Sequence, residues 1–496
     1  MNYMSVSRII PPITIVFLTV FVWHKILFQS LLGEGFYYFD RQQHFINESG
    51  KLAASYLPDL FARFLFDILP PIFGDNLMYY LAFQLLVMIL LNLTIFYFVK
   101  FFTRNNWIAF VATAIFLGSY IANFEMLGIG QYQRFAQRVP VLIPLFIALM
   151  LLVKYLETNK LIRYIFSISL FTISIFFGHF STFLLPIFLI IPIMYKLLNK
   201  NIKKNIVSGL LISLSFFLVN YLLIFQDPLK PTTSFLDFIA SRGIGSIIKD
   251  IILQFSNMVL PPLLIEKIAS ISNPYSLSLI ALTIPIISFF TFGLKFIKKK
   301  EIRLKLIYLS SLIFIPCLLF LNLYLGKVDP SFNISGYQYY FTPSFYLNKL
   351  PTSPVKGDRY YLIPYIFISI LFSTALWLIL EKRSFTYKTA GFLIMLIYLS
   401  YNTKLIWTDL DAIQPISKVM KNYIEFSKSI SYQFDSNTVI ILPRAIIWPA
   451  PFIRVFYGDP EMQFYLENDN WQSLVANKKV FIFDYDYQNN KVLKKL

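Results

Sequence analysis

Two polar residues beside long apolar runs are the first candidates for chemistry. Asp40 follows the aromatic sequence Phe36-Tyr-Tyr-Phe39, just beyond the first apolar run. A carboxylate buried there under loops would have a raised pKa and could act as a general base or bind a metal ion; the alternative is a solvated acid beside Arg41. His179 lies where two apolar runs meet. A polar side chain there is a functional candidate unless a backbone carbonyl satisfies it. Asp40 and His179 are therefore the catalytic candidates.

Arginines at the starts of two other apolar runs form a second group. Arg134 and Arg138 precede one run, and Arg359 precedes another, followed by Tyr360. The fixed fork of a guanidinium matches phosphate oxygens. At the headgroup level such groups would meet the phosphate of a lipid carrier, with Tyr360 beside Arg359. The alternative is that the arginines only extend toward lipid headgroups.

Several classes of site are excluded by what the chain lacks. It contains no P-loop, no G-x-G-x-x-G and no H-E-x-x-H sequence, which argues against ATP coupling and against the common zinc hydrolases. Its single cysteine, Cys317, lies within an apolar run, so neither a disulfide framework nor a cysteine metal site is expected. No metal ligand set is predicted, and the only cofactor left open is a divalent metal ion.

Composition predicts a membrane protein. Hydrophobic residues make up 57% of the chain and charged residues 14%, whereas about a quarter of a soluble domain is charged. The apolar residues form runs of about twenty, the length that crosses a bilayer as a helix. We expect an all-α polytopic protein with about eleven transmembrane helices, the first being a retained span because no small-residue cleavage site follows it. The predicted spans are 9–30, 77–99, 107–124, 139–156, 163–179, 181–198, 205–225, 277–297, 305–325, 360–380 and 387–403.

The placement of charge predicts the orientation. The net charge of +18 comes mainly from short loops such as Lys298-Lys299-Lys300 and 196–204, which is typical of cytoplasmic loops and argues against a nucleic-acid partner. Dividing 163–198 into two spans keeps these basic loops on one side. The chain is then a multi-pass protein of the cell (plasma) membrane, with its amino terminus in the cytoplasm and its carboxyl terminus outside.

The remaining polar sequence lies on the outer side in this interpretation. A transmembrane domain, 1–404, carries long outer loops, and a small extracytoplasmic domain, 405–496, follows it. This second domain has two strand-like runs, Thr438–Leu442 and Lys479–Phe483, which predict a mixed α/β appendage. Apolar residues at helical spacing predict amphipathic helices around 57–68, ended by Pro70-Pro71, and around 238–259, ended by Pro261-Pro262. The long outer loops are 31–76, 226–276 and 326–359.

The order of these parts resembles the GT-C glycosyltransferases, membrane enzymes with many spans, an acid in a long first outer loop and an outer carboxyl-terminal domain. The stretch from Gly357 to Pro364 is similar to the Arg-Tyr segment that enters a late span in O-mannosyltransferase-like members. The resemblance implies that Asp40 is a general base or metal ligand. It also implies that Arg134, Arg138 and Arg359 bind the carrier phosphate. Many members have two adjacent acids, whereas Arg41 follows Asp40, so metal dependence stays open.

These expectations combine into one leading function with three alternatives. The leading function is transfer of a sugar from a polyprenyl-phosphate carrier to an acceptor outside the cytoplasm, with the lipid-linked donor and the bilayer as partners. A transporter or flippase for a lipid-linked saccharide would place polar residues deep in several helices. An O-antigen-type polymerase or ligase would also use arginines in outer loops. A non-catalytic membrane scaffold would need only a binding surface on its tail.

Overall fold

A computed structural model shows a helical bundle with a small sheet near the carboxyl terminus. It describes residues 3–30, 68–120, 132–177, 180–199, 202–224, 234–259, 301–325, 361–380, 385–442, 450–459, 462–466 and most of 472–495. The first seven long helices are α1 Tyr3–Trp23, α2 Leu77–Thr103, α3 Asn106–Leu117, α4 Tyr132–Thr158, α5 Leu161–Phe177, α6 Phe180–Leu198 and α7 Ile202–Ile224. The later helices are α8 Phe235–Arg242, α9 Ile244–Val259, α10 Ile302–Tyr324, α11 Leu362–Leu380, α12 Phe385–Ser429 and α13 Ala450–Tyr457.

The predicted spans within the described residues coincide with helices, although α3 ends at Leu117, before the predicted end at 124. The run 277–297 lies outside the described residues. Of the described helical segments, five are long and apolar enough to cross a membrane, and others are shorter apolar helices. The fold is thus consistent with a helical membrane protein, and the number of eleven spans stays a prediction. The five segments are Ile9–Phe28, Leu77–Thr103, Arg138–Thr158, Ile302–Tyr324 and Thr389–Thr408.

Polar side chains determine where α2 ends and α3 begins. Arg104 follows α2 in the left-handed conformation, with φ 53°, and its N–H donates to the Lys100 carbonyl. The Asn105 side chain then accepts hydrogen bonds from the N–H groups of Trp107 and Ile108. An asparagine at this position satisfies N–H groups that have no partner within the helix. Two residues are therefore enough to connect α2 to α3.

Aromatic side chains fill the centre of the bundle. Phe98 of α2 lies 4.7 Å from Phe146 of α4, measured between ring centroids, and Phe314 of α10 lies 4.7 Å from Phe367 of α11. All four rings are buried, and Phe98 also contacts Phe367 at 6.4 Å. Lipid offers no hydrophobic incentive for helices to associate, so close packing of this kind carries much of the association.

An ion pair joins three helices at one end of the bundle, which we call the basic end and define by Phe101, Glu157 and Arg303. The Arg303 guanidinium at the start of α10 donates two hydrogen bonds to the Glu157 carboxylate at the end of α4. It also donates to the Phe101 carbonyl at 3.3 Å and lies 4.2 Å from the centroid of that ring. The contact brings together loops that were predicted to share one side of the membrane.

The opposite end, which we call the tail end, is defined by Trp23, Leu117 and Asp75. The Trp23 indole N–H donates to the Leu117 carbonyl at 2.9 Å and so joins the ends of α1 and α3. Both tryptophan Nε1 donors described at this end are satisfied by main chain, since Trp407 of α12 donates to the Val22 carbonyl at 3.0 Å. Buried indole N–H groups generally need such a partner, and these bonds align three helices.

The amphipathic stretch predicted around 238–259 is two helices rather than one. α8 ends at Arg242, and Gly243 follows with φ 74°, a conformation that side chains with a Cβ rarely adopt. α9 then continues to Val259, just before the Pro261-Pro262 pair that was expected to end the helix. The other predicted amphipathic helix, 57–68, lies outside the described residues except for its last position.

The carboxyl-terminal residues form a four-stranded sheet in the order β2-β1-β3-β4. Both predicted strands are confirmed, as β1 Thr438–Leu442 and β3 Lys479–Asp486, and they pair in parallel. The short helix α13 connects β1 to the parallel strand β2, Gln463–Leu466. The antiparallel strand β4, Lys491–Lys495, closes the other edge of the sheet.

One helix connects this sheet to the bundle. α12 is 45 residues long and runs without interruption from Phe385 to Ser429, past the predicted division between domains at 404/405. Its membrane-length segment is Thr389–Thr408, and Pro415 lies within the part that follows. The bundle and the sheet therefore share a continuous helix.

We expect replacement of Arg303 by methionine to destabilise the bundle. The substitution would leave the Glu157 carboxylate, which is 20% exposed, without its two charge-assisted hydrogen bonds. A loss of this kind costs about 2 kcal/mol, measurable as a lower unfolding temperature of the purified protein in detergent. Lys160→Met, at an exposed position near the same end, is the control. Equal unfolding temperatures for the two variants would contradict the assignment.

Candidate functional site

Most of the residues singled out from the sequence fall outside the described part of the chain. Asp40, His179, Arg359 and Tyr360 all do so. Arg134 lies in the first turn of α4, and Arg138 lies one turn later with a half-buried side chain. The described residues therefore leave the convergence of these six positions as a prediction.

The described starts of α4 and α11, close to Arg134, Arg138 and Tyr360 in the sequence, nevertheless share the tail end of the bundle. α4 reaches the basic end at Glu157, so its first turns, with Arg134 and Arg138, point toward the tail end. The Tyr365 hydroxyl near the start of α11 bonds the Ser119 side chain, two residues after Leu117. Tyr361, the residue after Tyr360, is fully buried.

α12 crosses the tail end and contacts the end of α1. The Lys25 ammonium lies 2.6 Å from an Asp411 carboxylate oxygen. The buried Gln29 side chain donates to the Leu410 carbonyl at 2.8 Å and accepts from the Ser417 hydroxyl at 2.7 Å. Both functional atoms of the Gln29 amide are thus satisfied by α12, as burial of a polar side chain requires.

A second junction lies farther along α12, at Asp75, two residues before α2 begins. The Lys428 ammonium forms an ion pair with the Asp75 carboxylate. The Tyr457 hydroxyl of α13 donates to the same carboxylate oxygen at 2.8 Å. The hydrogen bond from Lys428, then that from Tyr457, hold the pKa of Asp75 below its usual range. Burial, and then the bond to Asp75, raise the pKa of Tyr457, so its hydroxyl remains a donor.

The sheet rests on the same part of α12. Tyr423 stacks on Tyr485 of β3, with ring centroids 5.7 Å apart, and Phe426 meets Phe483 edge-on at 5.2 Å. The Asn422 amide also donates to the Tyr485 hydroxyl at 2.7 Å. α12, α13 and the sheet therefore form a roof over the ends of α1 and α2.

This arrangement anchors the described residues on both sides of the segment 31–67, which carries Asp40. Gln29 is bonded to α12 shortly before the segment begins, and Asp75 is bonded to α12 and α13 shortly after it ends. The two anchors lie on one continuous helix, at Ser417 and Lys428. The roof therefore determines where the first long loop leaves the bundle and where it returns.

These anchoring residues were not among those predicted from the sequence. Gln29, Asp75 and Lys428 have no recognisable motif, and their partners are more than 350 positions away in the chain for Asp75 with Lys428 and for Gln29 with Ser417. One signal was present, since the buried residues Val419, Met420, Tyr423 and Ile424 repeat at helical spacing. That pattern predicts that a helix continues beyond the last apolar run.

The described part of the chain contains no group of three or more His, Cys, Asp or Glu side chains able to hold a metal ion. The carboxylate at Asp75 is instead occupied by an ammonium group and a tyrosine hydroxyl.

No protein-family model matches the sequence, and no curated protein matches it.

The Asp75 junction predicts how the stability of the roof depends on pH. A carboxylate whose pKa is lower in the folded state stabilises the fold above its usual pKa of about 3.9, and this contribution is lost as pH falls through the lowered folded value. The unfolding temperature of the native protein should exceed that of Asp75→Asn at neutral pH, and the difference should shrink below about pH 4. A difference that does not change with pH would contradict the role of the charge.

Loss of the Lys428 ammonium should loosen α13 without unfolding the bundle. In Lys428→Met, we expect faster hydrogen–deuterium exchange of Ala450–Tyr457, because Asp75 loses one of its two partners. Lys418→Met removes the same charge from an exposed position on the same helix and should leave that exchange unchanged. Identical exchange in the two variants would show that Lys428 does not hold the roof.

Proposed function

We propose that this chain is a membrane glycosyltransferase that moves a sugar from a polyprenyl-phosphate carrier to an acceptor outside the cytoplasm. The observation that carries the proposal is the common tail end. The described residues on either side of the segment with Asp40 are bonded to α12, and the start of α4 with Arg134 and Arg138 points to the same end. A candidate base and candidate phosphate ligands at one end of a bundle suit a donor that is embedded in the membrane.

The level of the tail end in the membrane also suits a lipid-linked donor. Helix ends lie where the hydrocarbon core meets the headgroups, which is where the phosphate of a polyprenyl carrier must lie. Arg138 begins the apolar segment of α4, and the buried Tyr361, which follows Arg359 and Tyr360, directly precedes α11. Guanidinium groups at that level would meet the phosphate while the prenyl chain remains in lipid.

The proposed reaction assigns one role to each group. Asp40 takes the proton of an acceptor hydroxyl, whose oxygen then attacks the anomeric carbon of the sugar. The bond between that carbon and the phosphate oxygen breaks, and the polyprenyl phosphate leaves with the bonding electrons. Arg134, Arg138 and Arg359 stabilise the charge that develops on the phosphate, and the Tyr360 hydroxyl donates to it. His179 is a second candidate acid–base group.

The two roles open to Asp40, general base and metal ligand, predict different responses of sugar transfer to chelation of divalent metal ions. If Asp40 acts as a base alone, EDTA should leave transfer unchanged, whereas a carboxylate that binds a divalent ion would make transfer depend on the added metal. The Arg41 side chain beside Asp40 brings a positive charge where many GT-C enzymes have a second acid. We therefore propose that Asp40 acts as a general base rather than as a metal ligand.

Replacing Asp40 by asparagine should reduce sugar transfer by about 10²–10⁴-fold, because general base catalysis typically contributes that much. The assay supplies a radiolabelled polyprenyl-phosphate sugar to membranes containing the protein and follows label that passes from the carrier lipid to another product. Glu48→Gln, which changes a nearby acid of the same segment, is the matched control. Full activity of Asp40→Asn would show that Asp40 is not the general base. Sugar flux across vesicles without any transfer would instead identify a transporter.

Arginine-to-lysine substitutions test the phosphate ligands, because lysine retains the charge and loses the fork. For Arg138→Lys and Arg359→Lys we expect about a 10–100-fold lower kcat/KM for the carrier-linked donor, the equivalent of losing one strong charge-assisted hydrogen bond. Arg163→Lys, near the basic end, should leave kcat/KM unchanged. Equal values in all three variants would show that the fork has no part in binding the carrier.

A further inference from the structure

The helices α8 and α9 form a corner that packs against the tail-end half of α10. Phe235 and Phe238 of α8 contact the Tyr324 ring at 5.9 Å and 5.4 Å between centroids. Phe238 and Ile247 are buried together with Leu323. Since Arg303 places the start of α10 at the basic end, these contacts place the corner at the other end of a membrane-length helix.

One side of α9 is committed to the protein. Ile247, Phe255 and Met258 are buried, at positions that share one helical face. On the same side, the buried Gln254 amide donates to the Leu319 carbonyl of α10 at 3.1 Å. This bond ties α9 to the main chain of a transmembrane helix and makes the corner part of the bundle.

A second side of the corner is apolar and exposed. Leu236 of α8 is 76% exposed, and Ile244 and Ile248 of α9 are 66% and 52% exposed. Ile244 and Ile248 are four positions apart, so they lie on one face of the helix, in line with the buried Phe255 and about two turns before it. Large apolar side chains grouped in this way indicate an interaction surface rather than contact with water.

The third side is polar, with Ser246 and the Arg242 side chain exposed and the Asp250 carboxylate half-buried. Ser246 lies there, away from the buried face, and the Arg242 guanidinium at the end of α8 lies 2.9 Å from the Asp250 carboxylate of α9. This ion pair closes the corner at Gly243. α9 thus has an apolar side, exposed at Ile244 and Ile248 and buried against protein at Phe255, and a polar side that carries Ser246.

The neighbouring helices indicate what covers the apolar face. Leu222 near the end of α7 is 72% exposed, and Ile313 within α10 is 44% exposed. Both belong to apolar helices of the bundle, whose exposed sides face acyl chains if the bundle spans a bilayer. The exposed face of α8 and α9 continues this apolar exterior at the end of α10, at the level of the headgroups.

We propose that α8 and α9 lie in the interface of the lipid bilayer, with Leu236, Ile244 and Ile248 inserted at the boundary between headgroups and acyl chains. Amphipathic helices of this kind bury their apolar face about 5–10 Å deep at that boundary. Ser246 and the exposed Arg242 guanidinium then face water. The occupant of the apolar face is lipid, and the contact with α10 fixes the orientation of the helices relative to the membrane.

Labels at single cysteines test this proposal on the full chain in lipid nanodiscs. Replacing the single natural cysteine by Cys317→Ser provides the background. Nitroxide labels are placed through Ile244→Cys and Ile248→Cys, and through the matched control Ser246→Cys on the same helix. Collision with oxygen, which concentrates in lipid, is compared with collision with a water-soluble nickel chelate. Leu236→Cys on α8 provides an independent position if either α9 variant fails to fold.

We expect the ratio of oxygen to nickel collisions to be several-fold higher for labels at 244, 248 and 236 than for the label at 246. Nickel collision at 248 equal to that at 246 would overturn the proposal, because the apolar face would then contact water. Labels at 244 and 248 that are immobile and shielded from both reagents would overturn it as well. They would show that a protein surface, such as a second copy of the chain, covers this face.

Discussion

The constraint on which this structure depends is that lipid cannot hydrogen-bond a peptide group. Every N–H and C=O within the hydrocarbon core must find a partner in the protein, so a chain of this composition is confined to helices there. Helix interiors are then saturated with hydrogen bonds and largely apolar. Hydrogen bonds between helices are therefore made by side chains. For example, the Asn92 amide of α2 donates to the Thr19 hydroxyl of α1 at 3.0 Å. Most described ion pairs accordingly lie at helix ends.

The two ends of the bundle use charge differently. At the basic end, Arg303 is neutralised by Glu157 and covers the Phe101 ring, so one arginine holds three helices together. At the tail end, Asp411 of α12 pairs with Lys25, which follows α1, and Asp75, which precedes α2, pairs with Lys428 of α12. These two ion pairs join α12 to the residues next to α1 and α2. The roof depends on these ion pairs because the part of α12 that belongs to it lies beyond the lipid-facing segment of the same helix.

The sequence was informative wherever one segment contains its own signal. Apolar runs of about twenty residues predicted helices, and the β-branched run at 438–442 predicted β1. The extent of α12 was missed because hydropathy falls after Thr408, although the helix continues for two more turns before Pro415 and beyond it. The break at Gly243 was missed because an amphipathic pattern continues across it. The residues that anchor the first loop could not be predicted. Gln29 and Ser417 lie far apart in the sequence, and only their hydrogen bond in the folded chain shows their role.

The proposed reaction requires its catalytic groups to lie at one end of the bundle. A base and a set of phosphate ligands must act on a molecule whose tail is in lipid and whose sugar is in water, so they must come from several helix ends at one depth. A single segment cannot supply them, because each span reaches that depth once. The chain satisfies this requirement through α12: it bonds residues on both sides of the segment with Asp40 and carries a sheet above them. A long, polar and otherwise unremarkable helix thereby becomes the element on which the position of the proposed catalytic loop depends.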